Sequence, residues 1–391
     1  SMYTKKYRYS GGFNMDFQKF VSPETELTPL NYNTFRVQWN HSPITRGTGR
    51  FSASVNAGST SYFNNVVNPN NFANNVTGDL SSNISYSKTF AGTPFSMSAN
   101  LRHSQSVQTG EVRLDLPTIG INMNRQSPFQ NVKFEPLKTL NIAWNFNLQN
   151  SITNRINTFG QANQVDGPQT IPFNMDNLGL LLRNGNNGAR NTIPISSNFS
   201  LFKYFTGTAS ANYTELWYMQ RYNYSYNSTT EKVEQVKEDG FNRVGYYNTS
   251  FAMNTNFYGF YNFKPSGKLQ TIRHHIAPTV SFNFNPDFSD PAYGYYQEVQ
   301  SDKSGRIARF SRHQGLIFGD APLGESRALS LGLRNVVEAK IKTQTDSTEG
   351  EFKKIPLLES FNFNTAYNFA ADSFQLSPIQ ISARTSLFEQ K

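Results

Sequence analysis

The sequence predicts an all-β protein: an antiparallel transmembrane β-barrel, or a large part of one, with about 14 strands in the chain. Three observations lead to this prediction. Apolar and polar residues alternate along many segments, the polar positions carry mostly uncharged side chains, and turn-forming residues separate the segments.

The alternation is clearest from Leu140 onward. Leu140, Ile142, Trp144, Phe146 and Leu148 occupy the even positions, and asparagine recurs between them. Because successive side chains of a strand point to opposite faces, this segment has one apolar face and one amide face. The same pattern predicts strands over 51–57, 95–102, 140–149, 276–284, 329–334 and 361–369, with further strands near 6–19, 32–41, 80–90, 112–124, 193–203, 207–219, 246–263 and 379–387.

Alternation alone fits a soluble sandwich with its apolar faces inward or a membrane barrel with them outward. Only 37% of the chain is hydrophobic and 16% is charged, against roughly 45–50% and about 25% in soluble domains. The polar positions hold mainly Asn, Ser, Thr, Gln and Gly, whereas an exposed soluble sheet carries more charge. This composition favours the barrel, with a secreted β-sandwich or adhesin as the alternative.

Composition also limits the chemistry. The chain has no cysteine, which excludes thiol nucleophiles, thiolate metal sites and disulfides within it. Its net charge of +9 favours anionic partners. Lysine and arginine are scattered over many predicted strands and form no single stripe, so we expect no nucleic-acid partner.

We expect residues 1–391 to form a single barrel segment with three long connections. These lie near 155–192, 222–242 and 285–326, and the first contains a helix-like fragment around 175–182. Long connections without regular structure are usually functional.

No residue pattern predicts catalysis, a cofactor or a metal site, so the chain is not expected to be an enzyme. His274 and His275 are adjacent on a predicted strand and would face opposite ways, which prevents them from binding one ion. Neighbouring His103 and Ser104 do not make a base and nucleophile pair, because such pairs are assembled in space. Asp287 and Asp290 are interpreted as an acidic turn and not as a calcium site.

Two groups of residues are candidate contacts for a transported or surrounding molecule. A basic run could bind phosphates of an anionic lipid, since guanidinium and phosphate pair bidentately, although a solvated loop is the favoured explanation: Lys303, Arg306, Arg309 and Arg312. The amides on the polar side of the strands are candidate lining of a water-filled lumen: Asn141, Asn145, Asn147, Asn362, Asn364 and Asn368.

Several stretches resemble the LptD family of lipopolysaccharide-assembly proteins. The most specific is 116–129, LPTIGINMNRQSPF, where Leu-Pro opens an alternating strand and Arg followed by Pro-Phe closes it. Other similar stretches lie at 51–56, 82–88, 240–243, 273–282 and 367–374, so the resemblance extends over nearly all of the chain.

The resemblance implies an outer-membrane barrel that receives lipopolysaccharide from periplasmic bridge proteins and inserts it into the outer leaflet. Outer-membrane lipids and a lipoprotein plug of the LptE type are the further implied partners. The family's periplasmic jellyroll and paired cysteines have no counterpart here, so we expect a central barrel segment with the seam strands outside it. A porin or receptor-type transporter, or a secreted β-rich adhesin, remains the alternative function.

Overall fold

A computed structural model describes most of the chain: residues 1–6, 8–21, 31–45, 47–59, 79–157, 168–264, 266–342 and 352–385. The strands are β1 Met2–Lys5, β2 Tyr9–Val21, β3 Asn31–Pro43, β4 Gly49–Gly58, β5 Asp79–Thr89, β6 Phe95–Ser106, β7 Val112–Gln126, β8 Leu140–Thr153, β9 Arg155–Asn157, β10 Pro168–Thr170, β11 Asn186–Leu201, β12 Phe205–Asn227, β13 Lys232–Asn254, β14 Phe257–Asn262, β15 Leu269–Asn285, β16 Tyr296–Gln300, β17 Ile307–Ser311, β18 Ser326–Lys342, β19 Phe352–Asn368 and β20 Gln380–Arg384.

The helical content is small. Helix α1 covers Glu135–Lys138, helix α2 covers Leu178–Arg183, and a 3-10 turn covers Pro291–Tyr293. In the described part of the chain, no helix has the length and apolar character needed to cross a membrane. Helix α2 agrees with the fragment predicted around 175–182.

One antiparallel sheet of 16 strands contains most of the described residues. Its main path follows the chain, each strand pairing with the next: β1 to β8, then β11, β12, β13, β15, β18, β19 and β20, while β14 pairs with β15. Two small separate sheets pair β9 with β10 and β16 with β17. The predicted all-β antiparallel fold is confirmed.

The connections differ between the two ends of the sheet. At one end several are short, as at 90–94 between β5 and β6 and at 202–204 between β11 and β12, while 127–139 between β7 and β8 contains helix α1. At the other end they include 154–185 and 286–325. Short turns at one end and longer loops at the other are the pattern of outer-membrane barrels, in which the long loops lie outside the cell.

Strand register gives the sheet two chemically distinct faces. On β8, Asn145 lies opposite Asn122 and Thr192 on the neighbouring strands, whereas Phe146 lies opposite Ile121 and Asn191. The amide oxygen of Asn191 accepts from the indole N–H of Trp144 at 3.3 Å. We call the side with Asn145 the polar face and the side with Phe146 the apolar face. Large side chains of the apolar face are exposed, with relative accessibilities of 42% for Phe251, 39% for Phe282 and 46% for Leu331. Such exposure suits contact with lipid and is the reverse of a sandwich, which buries these side chains.

The strand predicted over 246–263 is interrupted. β13 ends at Asn254 and β14 begins at Phe257, and both pair with β15. The break lies beside Pro278, which has no N–H to donate to a neighbouring strand. The hydroxyl of Thr255 instead donates to the carbonyl of Tyr204 at 2.6 Å, which fixes the chain at the break.

The prediction of a long loop near 222–242 is wrong, because β12 and β13 continue through this segment as a hairpin. Arg221 and Glu238 face each other across it and their side chains bond at 2.7 Å. The hairpin extends beyond the strands that flank β12 and β13, and one of its faces packs against residues of 286–325, where Tyr224 is buried and stacks on Phe310. On β12, Tyr222, Tyr224 and Tyr226 alternate with polar residues, whereas the mostly charged stretch 232–239 of β13 shows no regular alternation.

The other two predicted connections contain regular structure. Within 155–192, the described residues form β9, β10 and α2, and β11 begins at Asn186, earlier than predicted. Within 285–326, β16 and β17 form a hairpin. We refer to residues 286–325 as the β15–β18 connection.

Candidate functional site: the polar face of the sheet

Pockets open along the polar face, and three that are lined by described residues each contain arginine among amide and hydroxyl side chains. We name them after Arg190, Arg334 and Arg102.

The Arg190 pocket spans five strands, from β7 to β13. Its floor follows a register row in which Asn122, Asn145, Thr192, Thr214 and Tyr246 lie opposite one another in turn. The next row places Asn147 opposite Arg190. Strand pairing alone therefore brings residues that are distant in sequence into one pocket of about 480 Å³, lined by Asn122, Asn145, Asn147, Arg190, Thr192, Asn212, Thr214 and Tyr246.

The Arg334 pocket has the same composition on β15, β18, β19 and β20. Arg334 lies opposite Asn362, and Gly332 lies opposite Asn364. A Cβ atom added at Gly332 would come within 3.2 Å of the Asn364 side chain, so glycine leaves room for this amide. The pocket has a volume of about 570 Å³.

The Arg102 pocket, of about 690 Å³, lies on β4 to β8 and includes a carboxylate. Asp115 lies opposite Arg102 in the register and pairs with Arg113 at 3.2 Å. This pocket therefore differs from the other two, because its positive charge is partly balanced.

The β15–β18 connection covers part of the polar face. Phe288, Leu316 and Ala321 of the connection form a hydrophobic cluster with residues on the polar-face side of β12 and β13. Those residues are Leu216, Tyr218 and Val244. The side chain of Asn186 accepts from the N–H of Ile317 and donates to the carbonyl of Gly315, both at 2.9 Å. These contacts place the connection at the edge of the Arg190 pocket, where Phe318 lies over the Arg190 guanidinium at 5.2 Å.

Two titratable side chains of the connection lie in this packing, His313 buried and Asp320 half-buried. His313 stacks on Tyr218 at a ring separation of 5.5 Å, and burial, together with Arg221 and Arg312, lowers its pKa to about 4. Burial raises the pKa of Asp320, whose carboxylate accepts a hydrogen bond from Ser311. Both shifts favour the uncharged forms, as expected for groups in a packed cluster.

The predicted lumen-lining asparagines divide into two groups. Four of them line pockets: Asn145, Asn147, Asn362 and Asn364. The other two form hydrogen bonds near strand ends. Asn141 accepts from the Ser127 hydroxyl at 2.6 Å, and Asn368 accepts from the backbone N–H of Arg327 at 3.1 Å. Contact with a transported molecule stays a prediction for all six.

The predicted basic run lies on the β15–β18 connection, where three of its members have internal partners. Lys303 bonds to Glu231 at 2.6 Å and Arg309 to Glu298 at 2.8 Å. Arg312 donates to Asn223 at 2.6 Å. These bonds tie the connection to the β12–β13 hairpin and hold its own hairpin together, while the side chain of Arg306 is exposed. Contact with an anionic lipid stays a prediction for these residues.

The remaining sequence candidates have local partners. His274 contacts Asn335 of β18, and His275 contacts Asn256 in the break between β13 and β14. Asp287 accepts from Ser289 and from the N–H of Gly324, as expected of a turn. His103 lies 3.3 Å from Ser82, not Ser104, and the hydroxyl of Ser82 exchanges hydrogen bonds with the backbone of Asn56.

The arginines of the pockets were missed as site residues from the sequence. Arg102 and Arg334 occupy polar positions of predicted strands, so alternation placed them on the correct face. It could not show that the strand order brings each one among amides. Arg190 lies before the predicted start of its strand, so no signal in the sequence marked it.

Comparison with known proteins gives one family match. The family model described as LptD protein matches residues 1–391, the whole chain. No curated protein matches the chain. Among solved structures, a double mutant of the Serratia marcescens hemophore receptor HasR, in complex with its hemophore HasA and heme, shares 9% identity with a TM-score of 0.18. The alignment covers 93% of this chain and 52% of the receptor, so the chain spans about half the receptor's length.

Proposed function

The chain belongs to the LptD protein family, whose members are outer-membrane proteins of lipopolysaccharide transport, and from this premise we propose that it forms part of the barrel wall of a translocon. The translocon inserts lipopolysaccharide into the outer leaflet of the outer membrane. Periplasmic bridge proteins deliver the lipid, and a lipoprotein of the LptE type fills part of the lumen.

The observation that supports this proposal is the two-sided sheet. Lipopolysaccharide combines acyl chains with a long sugar, so its exporter needs a wet, hydrogen-bonding surface beside a lipid-facing one. The polar face offers amides and hydroxyls that can exchange hydrogen bonds with sugar hydroxyls, and the apolar face offers exposed side chains to hydrocarbon. Transport of this kind breaks no covalent bond, and we propose no catalytic residue.

Depletion of the protein in cells tests the proposal. Lipopolysaccharide at the cell surface should fall, while uptake of small solutes should stay normal. Loss of solute uptake with normal surface lipopolysaccharide would instead indicate a porin or receptor-type transporter.

A pair of neighbouring substitutions on β18 refines the test. Ser330 lines the Arg334 pocket on the polar face, and Leu329, outside the pocket lining, lies opposite Phe282 on the apolar face. Ser330→Trp should lower surface lipopolysaccharide at an unchanged protein level, because the indole obstructs the polar face. Leu329→Trp adds the same kind of bulk on the lipid side and should have little effect.

A further inference from the structure

The Arg190 pocket has the composition of a site for an anionic sugar. Among the described residues that line it, none is acidic: the lining holds one guanidinium, four asparagine amides, two threonine hydroxyls and one tyrosine. Its volume of about 480 Å³ falls within the range of roughly 300–1,000 Å³ that is usual for small-molecule sites.

Arg190 has few partners within the described part of the chain. Its Nε atom is buried there without a hydrogen-bond partner. Its guanidinium lies 5.2 Å from the ring centre of Phe318, a contact that leaves N–H groups at the edge of the guanidinium plane available. The side chain as a whole is only half-buried and lines the pocket, so an acceptor in the pocket would meet the outer N–H groups of the guanidinium.

The neighbouring side chains suit a sugar. Amide groups both donate and accept, as sugar hydroxyls do. Asn147 lies opposite Arg190 in the register, and Asn145 follows one row along on the same face. A phosphate held by Arg190 would therefore leave the attached sugar ring among the amides.

We propose that the Arg190 pocket binds a phosphorylated sugar, with the phosphate on the guanidinium of Arg190 and the ring hydroxyls on Asn145 and Asn147. The inference rests on the proposed function and extends it, because it assigns one binding site on the polar face to a charged part of the glycan. Guanidinium and phosphate form two parallel charge-assisted hydrogen bonds, which a neutral sugar cannot replace.

Binding to the purified protein in detergent, measured by isothermal titration calorimetry, tests the proposal. The probe is the phosphorylated oligosaccharide obtained by removing the acyl chains from lipopolysaccharide; the same oligosaccharide after phosphatase treatment and inorganic phosphate are the comparisons. Because Arg190→Gln removes the charge-assisted hydrogen bonds to the phosphate, it should weaken binding of the phosphorylated probe about tenfold or more.

Three further variants assign the contacts. Arg190→Lys keeps the positive charge but cannot form the two parallel hydrogen bonds of a guanidinium. It should bind the phosphorylated probe more tightly than Arg190→Gln and less tightly than the unaltered protein. Asn147→Ala should weaken the phosphorylated and dephosphorylated probes by similar factors. Arg125→Gln removes an exposed arginine from the end of β7, outside the pocket lining, and should bind like the unaltered protein.

Equal affinity of the two oligosaccharides, or unchanged binding by Arg190→Gln, would overturn the phosphate assignment. Inorganic phosphate that binds as tightly as the phosphorylated oligosaccharide would overturn the sugar assignment. Either result would leave the transport role standing if depletion still lowers surface lipopolysaccharide, so the two proposals fail separately.

Discussion

The hydroxyl of Tyr295 exchanges two hydrogen bonds with the backbone of Gly245. It accepts from the N–H at 2.9 Å and donates to the carbonyl at 3.1 Å. Gly245 lies on β13 beyond the stretch that pairs with β15, which covers Thr249 to Asn254. A side chain of the β15–β18 connection thus takes the place of a neighbouring strand. It supplies hydrogen bonds to backbone groups at the edge of β13 that would otherwise need water as a partner.

Tyr295→Phe should loosen the connection without unfolding the sheet. The substitution removes both bonds, each worth about 0.5–1.5 kcal/mol, while the ring can still pack. Hydrogen exchange of the Gly245 amide and of peptides from 286–325 should become faster.

Tyr293→Phe is the matched control, because the hydroxyl of this nearby, partly exposed tyrosine takes no part in the Gly245 contact. Equal protection in the two variants would show that the Tyr295 hydroxyl does not fasten the connection.

Packing of the β15–β18 connection should depend on pH through His313. Its pKa is lowered to about 4 in the folded chain, against about 6.5 in an unfolded one. The unfolded form therefore gains a proton first as the pH falls, so packing is complete above about pH 6.5 and weakens between about 6.5 and 4. Limited proteolysis across this range should cut the connection faster at the acidic end.

His313→Phe should remove most of this dependence, since phenylalanine can stack on Tyr218 without titrating. Asp320 acts in the opposite direction, because a raised carboxyl pKa costs stability as the pH rises. The comparison between the variant and the unaltered protein isolates the histidine. Identical pH profiles would contradict its role.

Asn154 should be among the most sensitive polar residues at the long-loop end of the sheet. Its side chain is buried, accepts from the N–H of Val112 at 2.7 Å and donates to the carbonyls of Gly110 and Ile171, both at 2.9 Å. Asn154→Ala leaves these groups unpaired and should cost about 2–3 kcal/mol. Thermal unfolding in detergent measures the loss.

Two variants sharpen this prediction. Asn154→Asp keeps the acceptor for Val112 but loses both donated bonds, so it should be nearly as destabilised. Asn124→Ala, at an exposed position of β7, should leave the unfolding temperature close to that of the unaltered protein. A wild-type unfolding temperature for Asn154→Ala would show that water replaces the lost partners.

The sequence predicted the architecture because lipid and water select opposite side chains on alternate residues. The same selection acts on β12 beyond Tyr218, where Tyr222, Tyr224 and Tyr226 alternate with polar residues and Tyr224 is buried. On β13 the mostly charged residues 232–239 show no regular alternation, so the pattern covers only one strand of the hairpin that was predicted as a loop. The fold of the β15–β18 connection was also hidden, since its packing depends on contacts such as Phe288 against Val244 between distant parts of the chain.

The candidate site could be predicted only to the level of a face. Alternation placed Asn145 and Asn364 on the polar face, but it could not distinguish them from Asn141 and Asn368, whose amides bond to backbone groups at strand ends. That distinction depends on where turns close and which backbone groups they leave unpaired. Arg190 requires the register of β8 with β11, which no local pattern encodes.

Two adjacent residues of β8 test the assignment of the two faces. Phe146 packs near Trp144 and Trp217 on the apolar face, with ring separations of 6.1 and 6.3 Å, and Asn145 lines the Arg190 pocket. Arginine on the lipid side near mid-strand should cost about 2–4 kcal/mol of barrel stability, because the charge must leave water for hydrocarbon. Arginine at the neighbouring polar position stays hydrated. Phe146→Arg should therefore shift the unfolding midpoint in a bilayer folding assay, and Asn145→Arg should shift it little. If both variants unfold alike, the faces have been assigned to the wrong surroundings, and the sheet cannot be a membrane wall in the orientation described.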